Sequence, residues 1–263
     1  MYMILSILAF GHVGVVYVNA ICPSDLITMG DGMCVTINGA TDRYCKAHAT
    51  CAAQSSTTQQ LFILIGLNHT LLDPNRIPTS VSFTWTSVSD VLVRRGKAKE
   101  GWRDADPRNL RYASKLGDIN WDEKQPDGNR PVVGLKRPNL RAHDIQLQGN
   151  RANIVCEMIK DATVETPRIN QFKANFPVVL EQMKNDDELS DGCYEVFTEP
   201  TLLKCSFRCN QNIQCRSVYH NSSDKTCVHI LYIDARLPSA FRNRAGEWNR
   251  YAKTSITVRK PIN

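Results

Sequence analysis

The sequence predicts an α+β protein of two modules, each held by disulfides. Three observations carry that reading. The ten cysteines form two groups, Cys22, Cys34, Cys45, Cys51 and Cys156, then Cys193, Cys205, Cys209, Cys215 and Cys227. Between the groups, Lys160 to Asp191 contains no cysteine but holds proline and the charged run Lys184-Asn185-Asp186-Asp187-Glu188, the composition of a boundary. Short strand-like runs alternate with two legible helix starts. A hydrophobic fraction of 42% with 22% charged residues describes a folded chain, and the cysteine usage places it in an oxidising compartment. No internal repeat or low-complexity segment is visible.

Met1 to Ala20 is almost wholly apolar, and Val18-Asn19-Ala20 offers a small-residue cleavage site before Ile21-Cys22, so residues 1–20 read as a secretory signal. An uncleaved anchor is the competing reading, because the stretch lacks a basic start and is nearly long enough to span. Leu61 to Ile65 and Val228 to Ile233 are too short to cross a bilayer and read as buried strand or helix. Thr41 or Asp42 can cap a helix starting at Arg43, since a short polar side chain accepts from the free amides of a first turn. Cys45 and Cys51, six positions apart on that helix, face different directions and should have different partners; only one of them can join Cys156.

In the second group, Pro200 to Cys209 reads as a short helix with proline near its start. Cys205 and Cys209 share a face that bridges to Cys227 and Cys215 can staple to a sheet. Gln214 to His220, Thr226 to Ile233 and Trp248 to Thr254 have strand character, with Asn221-Ser222-Ser223-Asp224 as a turn. Asn68-His69-Thr70 and Asn221-Ser222-Ser223 fit the N-glycosylation pattern, which would put both asparagines on the surface. The net charge of +6 is spread along the chain, with a denser basic patch from Arg236 to Arg250. That patch allows an anionic glycan or phospholipid partner, but reads first as Arg and Lys on an ordinary solvated surface.

The richest segment is Trp121-Asp122-Glu123-Lys124-Gln125-Pro126-Asp127-Gly128, downstream of Phe83 to Asp90 and upstream of Asn153 to Glu157. It sets an amide oxygen, Gln125, and a carboxylate, Asp127, on either side of Pro126. Calcium, a hard cation, takes six to eight such oxygens. A plain tight turn explains the same residues, because Pro, Asp and Gly are turn formers. Trp85, Trp102 and Trp121 can stack on sugar rings or fill a core, and core is the commoner fate.

In this order and spacing, the first-half motifs resemble a C-type lectin-like domain over about Cys22 to Met158. They are the hairpin from Cys22-Pro23 to Cys34, Tyr44-Cys45 on the first helix, Trp85 to Asp90 as the central hydrophobic motif, Trp102, Trp121 with Gln125-Pro126-Asp127, and Cys156-Glu157. The resemblance implies two short helices, an antiparallel sheet and long irregular loops. It implies a calcium and sugar site using Gln125, Asp127 and Asp144, with a cis Pro126 and a preference for galactose-type ligands. Where the family carries Trp-Asn-Asp, this chain has Ala142-His143-Asp144, so His143 joins the ligand-binding set in place of an oxygen donor and is a poor calcium ligand. Arg130 to Gly134 also lacks the acidic residue expected after Gln-Pro-Asp. A zinc site from His143, Asp144 and Asp127 is not singled out by their spacing.

The second half resembles a PAN or apple-type domain over about Thr166 to Thr254. The residues that carry this are Cys205-x3-Cys209-x5-Cys215, Val218-Tyr219, Cys227-Val228 and Glu247 to Lys253. A small antiparallel sheet with one helix is implied, used for binding proteins or carbohydrates. The two resemblances imply the pairs Cys22 with Cys34, Cys45 with Cys156, Cys205 with Cys227 and Cys209 with Cys215. A Cys45–Cys156 bridge would contribute about 4–5 kcal/mol by loop closure. Cys51 and Cys193 are left over, open to a bridge between modules, an intermolecular bridge or free thiols.

The expected organisation is a signal at 1–20, a lectin-like domain at 21–158, a linker and first part of the second domain at 159–190, and an apple-like domain at 191–263. No HExxH, GxSxG, phosphate loop or dinucleotide fingerprint occurs, so no enzyme is expected. The expected function is secreted carbohydrate recognition, calcium-dependent with galactose-type preference. The alternative is calcium-independent adhesion to extracellular proteins with a degenerate sugar site. Glycans, glycoproteins and extracellular proteins are the expected partners; nucleic acid is not, nor is a stable membrane span once the signal is removed.

Overall fold

A computed structural model describes residues 22–58, 60–163 and 170–256, with the side chains of 160–163 excepted. The expected signal at 1–20 lies outside the described residues. The first sheet contains β1 (Ile27–Thr28), β2 (Cys34–Arg43), β3 (Gln60–Leu64), β4 (Phe83–Ser89), β5 (Val132–Lys136), β6 (Arg141–Ile145) and β7 (Gln148–Thr163), with helix α1 (Tyr44–Thr58) between β2 and β3. Strand order is β1-β2-β7-β4-β5-β6, with β3 also paired to β7. All pairings are antiparallel except β4 with β7. The long connection from β4 to β5 is irregular and carries Arg94, Arg95, Trp102 and the Trp121 loop. Trp85 and Trp102 are fully buried, so both serve the core.

The second sheet takes β8 (Phe172–Lys173), β9 (Tyr194–Thr198), β10 (Cys215–Asn221), β11 (Thr226–Leu231) and β12 (Trp248–Lys253), in order β8-β12-β10-β11-β9. Helix α2 (Leu202–Gln211) lies between β9 and β10. The Thr201 hydroxyl accepts from the Lys204 amide (3.2 Å) and so caps α2, with Pro200 just outside the first turn. Cys205 and Cys209, one turn apart and buried, are bonded to Cys227 and Cys215 and fix the helix to β10 and β11.

Two expectations about the first helix are corrected. Strand β2 pairs with β7 as far as Arg43, so α1 begins at Tyr44, whose amide donates to Leu147 O (2.9 Å) instead of being served from Thr41 or Asp42. Cys156 is bonded to Cys51, not Cys45; Cys45 is bonded to Cys193, and Cys22 to Cys34. The reason is helical phase. Tyr44, Ala47, His48, Cys51 and Ser55 form the buried stripe of α1, and Cys51 on that stripe faces β7. Cys45, rotated about 100° from Tyr44, leaves the stripe and reaches the second half of the chain.

The halves are tightly joined. The Cys45–Cys193 bridge is supported by His48 stacking on Tyr232 (ring centroids 5.2 Å, planes 12° apart). Arg216 Nη2 donates to Ala105 O (2.9 Å) and Arg236 Nε to Leu92 O (3.1 Å). One buried apolar cluster contains residues of both sheets, among them Tyr44, Trp85 and Cys156 with Tyr219, Val228 and Trp248.

The expected surface position of Asn221 is also corrected. This residue ends β10, is fully buried, and its Nδ2 donates to Ala245 O (2.8 Å). The amide nitrogen that a glycan would occupy is already a structural donor. Asn68 is half-buried, and its Nδ2 donates to Glu157 Oε1 (2.7 Å). No helix among the described residues is long and apolar enough to cross a membrane.

Candidate functional site

The Trp121–Arg130 loop is held along β6. Asp122 N donates to Ala142 O (3.0 Å), while Gln125 N donates to Asp122 O (3.1 Å) and closes a turn ahead of the cis Gln125–Pro126 peptide. Asp144 does most of the positioning. It is fully buried, and its two oxygens accept from the Asp127 amide (3.1 Å) and the Arg130 amide (3.2 Å). A Cβ at Gly128 would stand 3.3 Å from Asp144 Oδ2, so glycine lets the chain pass this close.

A second set of contacts comes from the β4–β5 connection. Asp90, fully buried, receives Arg94 Nη1 and Arg95 Nη1, each at 2.7 Å. Burial pushes the Asp90 carboxyl up, and the two guanidinium groups oppose that rise. Arg95 also donates to Gly128 O (2.7 Å) and Arg130 O (3.2 Å), lies 3.6 Å from Asp144 Oδ2, and stacks on Trp102 at 4.2 Å. Arg94 Nη2 reaches Asn129 O. The loop is therefore clamped to buried carboxylates by arginines that bond its own carbonyls.

The expected site residues divide into two sets. Asp127 and Asp144 are brought together by Arg130, and Gln125 lies beside Asp127. Arg130 Nη1 lies 3.1 Å from Asp127 Oδ1, 3.2 Å from Asp144 O and 4.0 Å from Asp144 Oδ1. The Gln125 amide and then the Arg130 charge hold the exposed Asp127 carboxyl below the usual carboxylate range. His143, the neighbour of Asp144 on β6, points to the other face because successive strand residues alternate. There its Nε2 meets Asp122 Oδ2 (2.8 Å), and its ring stands edge-on to Phe83. That hydrogen bond is the main reason Asp122 also sits below the usual carboxylate range.

The arrangement can be tested against calcium. In its favour, Gln125 Oε1 is buried and has no hydrogen-bond partner among the described residues. Against it, both Asp144 oxygens are committed to backbone amides, and the positive charge between Asp127 and Asp144 is a guanidinium. A divalent ion there would be repelled by Arg130 and Arg95 and would find too few free oxygens. The residues as folded do not fit calcium.

Sequence reasoning missed Arg94, Arg95 and Arg130, and gave Asp90 no role of its own. Local signals were available: Arg130 follows Asp127 by three residues, and Arg94-Arg95 follow Asp90 by four and five. Proximity of charge along a loop does not reveal which carboxylate an arginine will bridge.

No protein-family model matches the chain, and no curated protein matches it. Among solved structures, it is similar to the C-type lectin CEL-I from Cucumaria echinata, at 20% identity over 52% of this chain and 97% of that one, with a TM-score of 0.40. It is similar to the mouse scavenger receptor C-type lectin carbohydrate-recognition domain, at 18% identity over 52% of this chain and 96% of that one, with a TM-score of 0.38. A third is the SPL-1 complex with GlcNAc, at 13% identity over 53% of this chain and 96% of that one, with a TM-score of 0.37.

Proposed function

We propose that the chain is a secreted, non-catalytic recognition protein, a C-type lectin-like domain at 21–158 joined through 159–190 to an apple-like domain at 191–263, and that it binds glycoconjugates without calcium. The observation that carries this is Arg130 bridging Asp127 and Asp144. Where calcium would order a sugar loop, salt links and backbone bonds order this one, so the loop is preformed. Its exposed edge offers the half-exposed Asp127 carboxylate as an acceptor and Arg130 as a donor, a pairing suited to adjacent sugar hydroxyls. A galactose-type hexose is the first sugar class to test, recognised by direct hydrogen bonds.

A glycan array run with and without chelator tests this reading. Binding that survives chelator and is lost in Asp127→Ala is expected. Binding abolished by chelator would restore the calcium mechanism, and an array blank in both arms would remove glycan recognition. A second reading, protein adhesion through the second half, is favoured by the exposed apolar pair Leu203 and Phe207, 78% and 61% exposed one turn apart on α2. Loss of cell-surface binding in the double variant Leu203→Ser/Phe207→Ser, with binding intact in Asp127→Ala, would select it.

A further inference from the structure

A cavity of about 30 Å³ lies where the two halves meet, lined by Arg103 and Asp104 from the first and Arg216, Asp234 and Lys253 from the second. That is room for one or two waters or a single halide-sized ion. Its carboxylates are already committed. Asp104 accepts from Ser87 Oγ (2.5 Å) and Leu67 N (3.1 Å), and Asp234 accepts from Ser217 Oγ (2.6 Å) and from Arg250 Nη2. Asp106, which also acts on Arg216 through space, is paired with Arg108 at 2.5 Å.

The cations are not matched in the same way. Arg216 is 6% exposed; its Nε donates to Tyr232 O (2.6 Å) and its Nη2 to Ala105 O (2.9 Å), while Nη1 has no partner among the described residues. Arg103 donates from Nη1 to Tyr112 O (3.3 Å), and its Nε is likewise unpartnered and buried. Lys253 is 2% exposed, and its Nζ donates to a carbonyl, Asn212 O at 2.8 Å, with no carboxylate partner among the described residues. Counting Asp234 with Arg250 and Asp106 with Arg108, the cations Arg103, Arg216 and Lys253 are left with one further carboxylate among the described residues, Asp104. Burying charge without a counter-charge is costly, and unfilled guanidinium N–H groups compound that cost. Burial, and then the nearby Arg216 charge, lower the Lys253 amine to about 7, as expected of a cation lacking a compensating anion.

We infer that this cavity is a binding site for a small monovalent inorganic anion, chloride in size, held by Arg216 Nη1 and Arg103 Nε and joining the two halves. The inference is independent of what the Trp121–Arg130 loop binds. A cavity of this size has no room for a sugar ring or a peptide carboxylate, so the ion is structural.

The test uses the full chain. Crystals grown with bromide in place of chloride should show an anomalous peak within hydrogen-bonding reach of Arg216 Nη1. In solution, raising chloride to about 100 mM against gluconate, at constant ionic strength, should raise the unfolding midpoint by several degrees. Arg216→Gln, or Arg103→Gln if the first does not fold, should flatten that response. Absence of the bromide peak overturns the inference whatever the midpoint does, because the cavity is then filled by water.

Discussion

The Trp121–Arg130 loop and the cleft between the sheets are built from the same pair of side chains, arginine and aspartate, and they balance them differently. In the loop, Asp90 meets Arg94 and Arg95, Asp144 meets two backbone amides with Arg95 close by, and Asp127 meets Arg130. In the cleft, Arg216 and Arg103 keep nitrogens without a partner among the described residues, while the carboxylates are occupied elsewhere. The difference shows that burial alone does not tell what an ionic site is for. A buried charge set that closes on itself holds the chain in shape, and one left with a surplus of one sign calls for an outside partner.

The comparison breaks most sharply at Asp144. Asp144→Ala strands the amides of Asp127 and Arg130 and leaves the nearly buried Arg95 short of a carboxylate; a loss of about 3–5 kcal/mol is expected from denaturant midpoints. Next comes Glu157, 5% exposed on β7, which Asn68 and the Arg108 charge only partly stabilise. Burial raises its carboxyl to about 7 from 4.5, so its contribution to stability is fully present below pH 4.5 and lost as pH rises to about 7. Glu157→Gln keeps the acceptor for Asn68; it should remove that pH dependence and stabilise the protein above pH 7 by up to about 3 kcal/mol, read from midpoints at acid and neutral pH.

Smaller effects sharpen the loop side. The wild-type unfolding midpoint should not move when about 1 mM calcium is added, whereas Arg130→Glu, which exchanges the bridging cation for oxygens, should gain a calcium-dependent rise. His143→Ala should leave both the midpoint and the proposed glycan binding nearly unchanged, because its partner Asp122 is solvated and the pair faces away from Asp144. A large fall in glycan binding there would move the proposed recognition surface to the opposite face of β6.

Much of the fold was legible in residues whose chemistry is local. Pro200 marks the start of α2, and Cys205 and Cys209 share a face because four residues make about one turn. Gln125-Pro126-Asp127-Gly128 reads as a tight turn on turn chemistry alone. Asp127 and Asp144 were legible as neighbours only through a family resemblance, since seventeen positions separate them.

By itself the sequence determined which segments bend, which alternate and which cysteines could staple a helix to a sheet, because those properties depend on neighbours one to four residues away. The tertiary structure decided that Cys51 and not Cys45 meets Cys156, that Asn221 is sealed inside, and that Arg130 takes the position between two carboxylates. It also gathered Arg103, Arg216 and Lys253 around one cavity. Each of these depends on which faces of distant elements are pressed together, and charge and hydrogen-bond partners separated by a hundred residues are assigned only when the core closes.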